Sequence, residues 1–343
     1  MRSLGSAPRL SPHAWESTGV RLLILAGVLL ATVLFSLSTG SASIPLERVL
    51  EALTGGGDAM TRTIVLDLRL PRVVLAVIAG GGLALSGAVF QALLRNPLAE
   101  PYILGVSGGA AVGAVAAVVL GISRFARWSI PVAAFAGAAL AIVLVFRIAL
   151  RVGRALDTRI LLLAGVVVGA FFNAIILLLL TFADVESFRS AIFWMMGSLQ
   201  NADWAAAGLV AAYLIPSGAL LIALGRPLNL LSLGEETALY LGTRVERVKV
   251  AAYVIASLVV AATVAVCGVI GFIGLIVPHA LRLLWGSNHR LLLPGSFLAG
   301  GAFLLIADTA ARTVAAPAEL PVGVVTALIG VPLFVTLLAR SVP

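Results

Sequence analysis

The sequence is dominated by long runs without a charged residue, each close to the length that crosses a bilayer. A helix needs roughly 20 apolar residues to span the hydrocarbon core. Eight uncharged runs reach 17 residues or more: 22–39, 73–94, 101–123, 128–146, 160–183, 204–225, 291–307 and 320–339. These runs predict eight membrane-spanning helices, and they constrain the fold more than any other feature of the chain.

A ninth uncharged stretch, 250–281, is too long at 32 residues for one ordinary span. Three glycines and Pro278 weaken a continuous helix there, so we divide it into a span ending near Val269 and a shorter one over 275–285. The prediction is an all-α polytopic membrane protein of ten spans, with a cytoplasmic tail over 1–21 and one transmembrane domain over 22–340. Residues 190–202 predict a short helix at the surface or partly inserted.

The composition excludes a soluble enzyme. Hydrophobic residues make up 61% of the chain and charged residues 11%, whereas soluble proteins carry about a quarter charged residues. The net charge of +8 comes from basic residues that flank the apolar runs and do not form one face. This distribution favours a membrane over nucleic acid as the partner.

Three kinds of chemistry are also excluded. The single lysine, Lys249, follows Val248 where a phosphate-binding P-loop requires glycine, so the chain lacks the usual machinery for ATP hydrolysis. Cys267 is alone and can form no intrachain disulfide, and the three histidines lack metal-ligand spacing. We expect no catalytic residue, no cofactor and no metal site.

The basic residues predict the orientation, because cytoplasmic loops carry an excess of arginine and lysine. With ten spans and both termini cytoplasmic, 15 of the 23 basic residues lie inside: Arg2, Arg9, Arg21, Arg95, Arg147, Arg151, Arg154, Arg159, Arg226, Arg244, Arg247, Lys249, Arg282, Arg290 and Arg340. Nine spans would reduce the bias to 13 against 10. The larger bias favours ten.

The interior of the predicted bundle offers packing surfaces and few polar groups. Glycines recur at four-residue spacing, as at Gly105, Gly109 and Gly113, which lets helices approach closely. Asn173 and Gln91 are the main polar exceptions, and no intramembrane carboxylate marks an ion path. If the protein moves a solute uphill, we expect the energy to enter from another polypeptide through a cytoplasmic surface.

The longest cytoplasmic connection, 226–249, suits that contact, and we name it the coupling segment. Ser232 is a candidate N-cap, Glu235 stands at the capping-box position, and Gly242 is a candidate helix stop. One face of the short helix would carry Leu233, Thr237, Tyr240 and Leu241, an apolar knob able to dock in a partner's groove. A helix lying on the membrane surface explains the spacing equally well.

Several short motifs follow one another along most of the chain, and their order together is more specific than any one of them. They are Leu68-Arg69-Leu70-Pro71-Arg72, Arg95-Asn96-Pro97-Leu98-Ala99-Glu100-Pro101, Phe193-Trp194-Met195-Met196-Gly197, Gly271-Phe272-Ile273-Gly274-Leu275-Ile276-Val277-Pro278-His279 and Ala318-Glu319-Leu320-Pro321-Val322-Gly323. From about Leu68 to Arg340 the chain resembles the permease subunits of ABC importers for iron chelates and cobalamin.

The resemblance implies a homodimer of ten-span subunits, with the path between the two copies lined largely by the fifth and tenth spans. It also implies that the permease lies in a bacterial inner membrane with two cytoplasmic ATPase subunits. One external solute-binding protein, either free in the periplasm or lipid-anchored, would complete the transporter. The residues that would contact the ATPase are Leu230, Leu233, Gly234, Glu235, Glu236, Leu241 and Gly242. Thr237 departs from the Glu-Ala-Ala loop of other importer permeases.

In the same family, arginines at the outer surface receive acidic residues of the binding protein. The matching positions are Arg69, Arg72 and Arg312, and guanidinium suits a bidentate contact with carboxylate. A local alternative stands beside this interpretation, since Arg312 is four residues from Asp308 and can pair within a helix. Arg69 could likewise pair with Asp67.

Cytoplasmic gates in the family lie in the turn after the second span and in the loop before the fifth. Here those positions are Asn96, Pro97 and Leu98, and Asp157 and Thr158. Asp157 departs from the small hydroxyl residue expected there. An ordinary helix stop explains Asn96 and Pro97 as well.

The resemblance predicts the import of an iron chelate, either a ferric siderophore or haem. Cobalamin is the closest alternative, because it shares the fold, partners and motifs. A channel or ion-coupled transporter acting without an ATPase fits the composition alone but does not explain the ordered motifs.

Overall fold

The computed structural model describes residues 12–40, 42–152 and 157–341, and helices are the only regular secondary structure in the part it describes. Within these ranges, seven helical stretches are long and apolar enough to cross a membrane: Thr18–Ser38, Ala59–Leu93, Ser129–Val152, Thr158–Thr181, Trp204–Ala223, Val245–Cys267 and His289–Thr313. Three shorter apolar helices are Val106–Val119, Ile273–Trp285 and Val322–Leu337. Together these ten correspond to the ten predicted spans and confirm the predicted fold class.

The helices follow one another in a simple order, labelled here along the chain. They are α1 (Pro12–Ser38), α2 (Leu46–Leu53), α3 (Ala59–Arg62), α4 (Leu70–Leu93), α5 (Val106–Val119), α6 (Ser129–Val152), α7 (Thr158–Thr181), α8 (Val185–Met195), α9 (Trp204–Ala223), α10 (Gly225–Ser232), α11 (Glu235–Tyr240), α12 (Val245–Cys267), α13 (Ile273–Trp285), α14 (His289–Thr313) and α15 (Val322–Ser341). A π-helical turn, Thr63–Arg69, joins α3 to α4, so the second span begins well before the predicted residue 73.

Helix α4 is the centre of the bundle, and it packs against α9, α12, α13 and α14. Glycines make these approaches possible. A methyl group at Gly80 would overlap the carbonyl of Gly300 in α14, and one at Gly87 would overlap the backbone of Gly274 in α13. Lipid supplies no hydrophobic drive for helix association, so such backbone contacts carry much of the packing. The observed role of these glycines is therefore close packing.

Aspartates cap the first turns of several helices in the part of the chain that the structure describes. Asp58, Asp184 and Asp203 each accept a hydrogen bond from a backbone N–H in the first turn of α3, α8 and α9. Such bonds satisfy amides that have no partner within the helix. They hold the pKa of the three carboxyl groups below the usual range for aspartate.

The short helix predicted over 190–202 lies earlier in the chain, at Val185–Met195. Asp184 caps it through the amide of Ser187, 2.7 Å away, and this start fixes its position. It ends before Gly197, which has a φ of +70° and lies against the backbone of Val269. The first eleven residues of the predicted cytoplasmic tail, including Arg2 and Arg9, lie outside the described residues, as does Arg154.

Candidate functional site

Three arginines and two acids meet at the end of the bundle where α4 begins, and we call this group the arginine cluster: Arg69, Arg72, Arg312, Asp308 and Glu319. Arg72 donates to both carboxylate oxygens of Asp308 at 2.9–3.1 Å, and to Glu319 at 3.0 Å. The Nε of Arg312 lies 3.2 Å from the second oxygen of Asp308. Asp308 is completely buried, and two guanidinium groups compensate the cost of burying its charge.

Two members of the cluster also bind the carboxyl-terminal end of α1. Arg69 donates to the Leu37 carbonyl at 2.6 Å, and Arg312 donates to the carbonyl and hydroxyl of Ser36 at 3.3 and 2.9 Å. The last carbonyls of a helix lack intrahelical partners and form the negative end of its dipole, so cations stabilise them. The alternative pairing of Arg312 with Asp308 is present, whereas Arg69 directs its guanidinium at these carbonyls and not at Asp67.

The cluster is mostly closed to solvent. Arg69, Arg72 and Arg312 are buried or nearly so, and Asp308 has no exposed surface. Glu319, on the connection between α14 and α15, is the most accessible of the five at 33% exposure of its side chain. A partner approaching from outside therefore meets Glu319 before it meets a guanidinium.

The coupling segment lies at the other end of α4, because its Glu235 contacts Arg95, just beyond the end of this helix, whereas Arg72 lies in the first turn. The 24 residues of α4 span about 36 Å. The predicted N-cap of the coupling segment is wrong: Ser232 is the last residue of α10, and its hydroxyl donates to the Leu228 carbonyl at 2.9 Å. Gly234 begins α11 instead, with a φ of +116° that favours glycine. Gly242, with a φ of +80°, follows the end of α11 as predicted.

Apolar side chains project from the coupling segment. Leu233, Leu239 and Leu241 are exposed, and Tyr240 is 91% exposed. Leu230 is half-buried and Glu236 is exposed. Several large apolar side chains exposed in one short segment are typical of a surface that another protein or a membrane covers.

Glu235 has partners different from those of a capping box. Its carboxylate accepts from the ammonium of Lys249 at 3.1 and 3.2 Å, and lies 3.5 Å from the Arg95 guanidinium. Lys249 is buried within α12, so this pair connects α11 to the bundle. Arg95 has a φ of +48° and immediately precedes Asn96. The exposed knob is thus joined to the turn that follows α4.

The predicted gate residues occupy two turns. Asn96 accepts from the amide of Leu98 at 2.9 Å, which closes the turn around Pro97. Asp157 accepts from the amide of Arg159 at 2.7 Å and caps α7, which begins at Thr158.

The elements that carry these two turns pack together at one point. A methyl group at Gly165 of α7 would lie only 2.6 Å from the Ile103 carbonyl, in the 3₁₀ turn Pro101–Leu104. That turn follows the turn of Asn96, Pro97 and Leu98 in the chain. Helix α7, which begins at Thr158, therefore packs at Gly165 against the 3₁₀ turn that follows Leu98.

Three polar side chains with no predicted role connect the Ala99–Leu104 region to the break between α12 and α13. Glu100 accepts from the amide of Phe272 at 2.8 Å, and the Tyr102 hydroxyl donates to the Ile270 carbonyl at 2.7 Å. The amide of Gln91 donates to the carbonyls of Gly274 and Leu275, at 3.3 and 3.2 Å. The glycine-rich break was visible in the sequence, but its partners lie about 170 residues away and were not.

Comparison with known proteins agrees with this architecture. The description FecCD transport family matches residues 28–340. The vitamin B12 import system permease protein BtuC of Escherichia coli (strain SE11) is 42% identical over 93% of this chain and 95% of its own length. The hemin transport system permease protein HmuU of Yersinia pestis is 42% identical over 93% and 94%. An uncharacterized ABC transporter permease protein, YvrB of Bacillus subtilis, is 38% identical over 91% of both chains.

Solved structures give the same result. A chain described as an inward-facing conformation of a metal-chelate type ABC transporter superposes with a TM-score of 0.85, at 33% identity, over 93% of this chain and 98% of that one. PsaBC from Streptococcus pneumoniae shares the fold, with a TM-score of 0.54 at 15% identity over 85% and 95%. With a family match over most of its length and permease relatives covered almost end to end, this chain belongs to the FecCD transport family and is a membrane-spanning permease of an ABC importer.

Proposed function

We propose that this permease imports an iron chelate, either a ferric siderophore or haem, across the bacterial inner membrane. The observation that carries the proposal is an apolar cavity of about 610 Å³ between the end of α8, the α12–α13 break and α15, lined by Met195, Met196, Phe272, Ala327, Val331 and Pro332. A wall of this kind suits a bulky chelate held by few specific contacts. Cobalamin is the second candidate, because relatives named for haem and for vitamin B12 are equally similar.

The transporter is proposed to contain two copies of this chain, two ATPase subunits and one external solute-binding protein. Helix α7 leaves Leu163, Val166 and Phe171 exposed, which provides an apolar face for a second copy along the path. ATP hydrolysis is assigned to the separate subunits, because the sequence has no P-loop.

The two ends of the bundle are assigned different partners. The coupling segment contacts the ATPase through its exposed apolar side chains and Glu236, and both termini lie on that cytoplasmic side. The arginine cluster receives carboxylates of the solute-binding protein at the outer end. Asn96, Pro97, Leu98, Asp157 and Thr158 form the cytoplasmic gate, where Glu235 and Arg95 join the first of its two turns to α11.

Uptake into proteoliposomes tests the function. Liposomes containing the permease with its ATPase are given ATP inside, the solute-binding protein outside, and labelled haem, a ferric siderophore or cobalamin. We expect saturable accumulation of an iron chelate that stops with a non-hydrolysable ATP analogue. Accumulation of cobalamin alone would select the second candidate, and accumulation that does not depend on ATP would contradict the assignment to an ATP-driven importer.

A further inference from the structure

Glu319 differs from the other acid of the arginine cluster in how firmly it is held. Asp308 is fully buried and lies between the guanidinium groups of Arg72 and Arg312. If its side chain moved away, both buried arginines would lose their ion pair with it. Glu319 makes one ion pair, with Nη1 of Arg72 at 3.0 Å, and a third of its side chain is exposed. Of the two carboxylates, Glu319 is the one that can exchange.

The net charge of the arginine cluster favours the binding of a further carboxylate from another protein. The cluster contains three arginines and two acids, so its five residues carry a net positive charge, although only Arg72 and Arg312 pair with the carboxylates. The Arg72 side chain is only 12% exposed. Its Nε and Nη2 donate to Asp308, and its Nη1 donates to Glu319. A carboxylate arriving from outside therefore reaches that donor by taking the place of Glu319.

We propose that Glu319 is an internal substitute for the carboxylate of a docking protein, and that docking displaces it from Arg72. The inference rests on the proposed function of the arginine cluster as the surface for a solute-binding protein, and it adds a competing group to that surface. The incoming group is an Asp or Glu side chain of the partner. Like-for-like exchange keeps Arg72 paired before and after docking, so no buried charge is left alone at either stage.

The surroundings provide a place for the displaced side chain. Glu319 already lines a cavity of about 320 Å³ whose polar walls include Ser198, Gln200 and Asn201. Three residues after Glu319 the chain enters α15 at Val322. The residue that docking would displace therefore lies on the short connection that leads directly into α15, a helix proposed to line the path.

Binding affinity of the solute-binding protein for the permease, reconstituted with its ATPase in nanodiscs, tests this inference. Glu319→Gln keeps the size of the side chain and removes its charge, so we expect roughly fivefold tighter binding, the range of a partly exposed ion pair. Glu319→Asp keeps the competing charge and should bind as the unchanged protein does. Glu186→Gln removes an exposed acid from α8 and controls for the general change in charge.

The double variant Arg72→Ala with Glu319→Gln tests whether Glu319 acts by competing for Arg72. If Glu319 competes for Arg72, its removal gives no gain once Arg72 is absent. An effect of Glu319→Gln no larger than that of Glu186→Gln, or weaker binding, would overturn the inference while leaving the docking surface in place. If the binding protein fails to associate with the unchanged complex, the proposed docking itself is wrong.

Discussion

Asp308 shows how a single residue determines the roles of its neighbours. It is fully buried and pairs with Arg72 and Arg312, and Arg312 also binds the end of α1 through Ser36. Arg312 therefore contributes to the fold whether or not a partner docks there. Docking of a partner and local pairing with Asp308 are compatible at Arg312. Stability measurements show how much the local pairing contributes to the fold.

Loss of Arg312 should destabilise the protein strongly. Arg312→Met leaves Asp308 with one guanidinium and the Ser36 carbonyl without its arginine donor, and breaking a buried pair costs about 3 to 5 kcal/mol. Unfolding in detergent can be followed with a thiol-reactive dye, because Cys267 is buried in the folded chain. We expect a clearly lower melting temperature than for Arg62→Met, which removes an exposed arginine. Equal melting temperatures would contradict the structural role.

Part of this cluster could be predicted from the sequence. Spacing of four residues suggested that Asp308 and Arg312 pair, and they do. The contact of Arg72 with Asp308 joins residues 236 apart, and it exists because glycines bring α4 and α14 together. No periodicity within either helix contains that information, so it requires the packed structure.

At the scale of helices, uncharged runs located the spans, and local capping chemistry decided the ends. The coupling segment shows the limit of such patterns. Ser232 and Glu235 match a capping box in spacing, yet Gly234 begins α11 and Glu235 pairs with Lys249 and Arg95. Glu235 forms ion pairs with these cations in place of a capping hydrogen bond, because the packing of α12 and the turn after α4 brings Lys249 and Arg95 close to its carboxylate.

A charge placed on α11 should uncouple ATP hydrolysis from transport. Leu241 is 58% exposed beside Tyr240, so Leu241→Glu adds a charge to the apolar patch without disturbing the core. We expect uptake to fall at least tenfold while hydrolysis continues and membrane abundance stays normal. Leu50→Glu, at an exposed leucine of α2 outside the coupling segment, is the matched control. Normal uptake by Leu241→Glu would argue against the ATPase contact.

At the scale of the whole molecule, the division of the stretch 250–281 decides the topology. The structure ends α12 at Cys267 and begins α13 at Ile273, with a second break at Gly286 before α14. An even number of crossings between the two termini puts both on one side. The distribution of the basic residues predicts that this side is the cytoplasm.

Cysteine labelling tests this orientation. In a Cys267→Ala background, single cysteines beside Arg151, Arg154, Arg244 and Arg290 should resist an impermeant thiol reagent added outside intact cells. Cysteines beside Arg62 and Arg127, predicted to lie outside, serve as the positive control. Labelling beside Arg290 alone would indicate nine crossings and contradict the separation of α12 from α13.

The break between α12 and α13 also determines how the bundle can deform. Its backbone groups are satisfied by Glu100 and Tyr102, side chains from another part of the chain, and not by the next turn of a helix. Unwinding a continuous helix in lipid exposes backbone groups at several kcal/mol each. Exchanging a side-chain hydrogen bond costs about 1 kcal/mol net. We therefore expect a change in the angle between α12 and α13 to cost less free energy at this break than it would within a continuous helix.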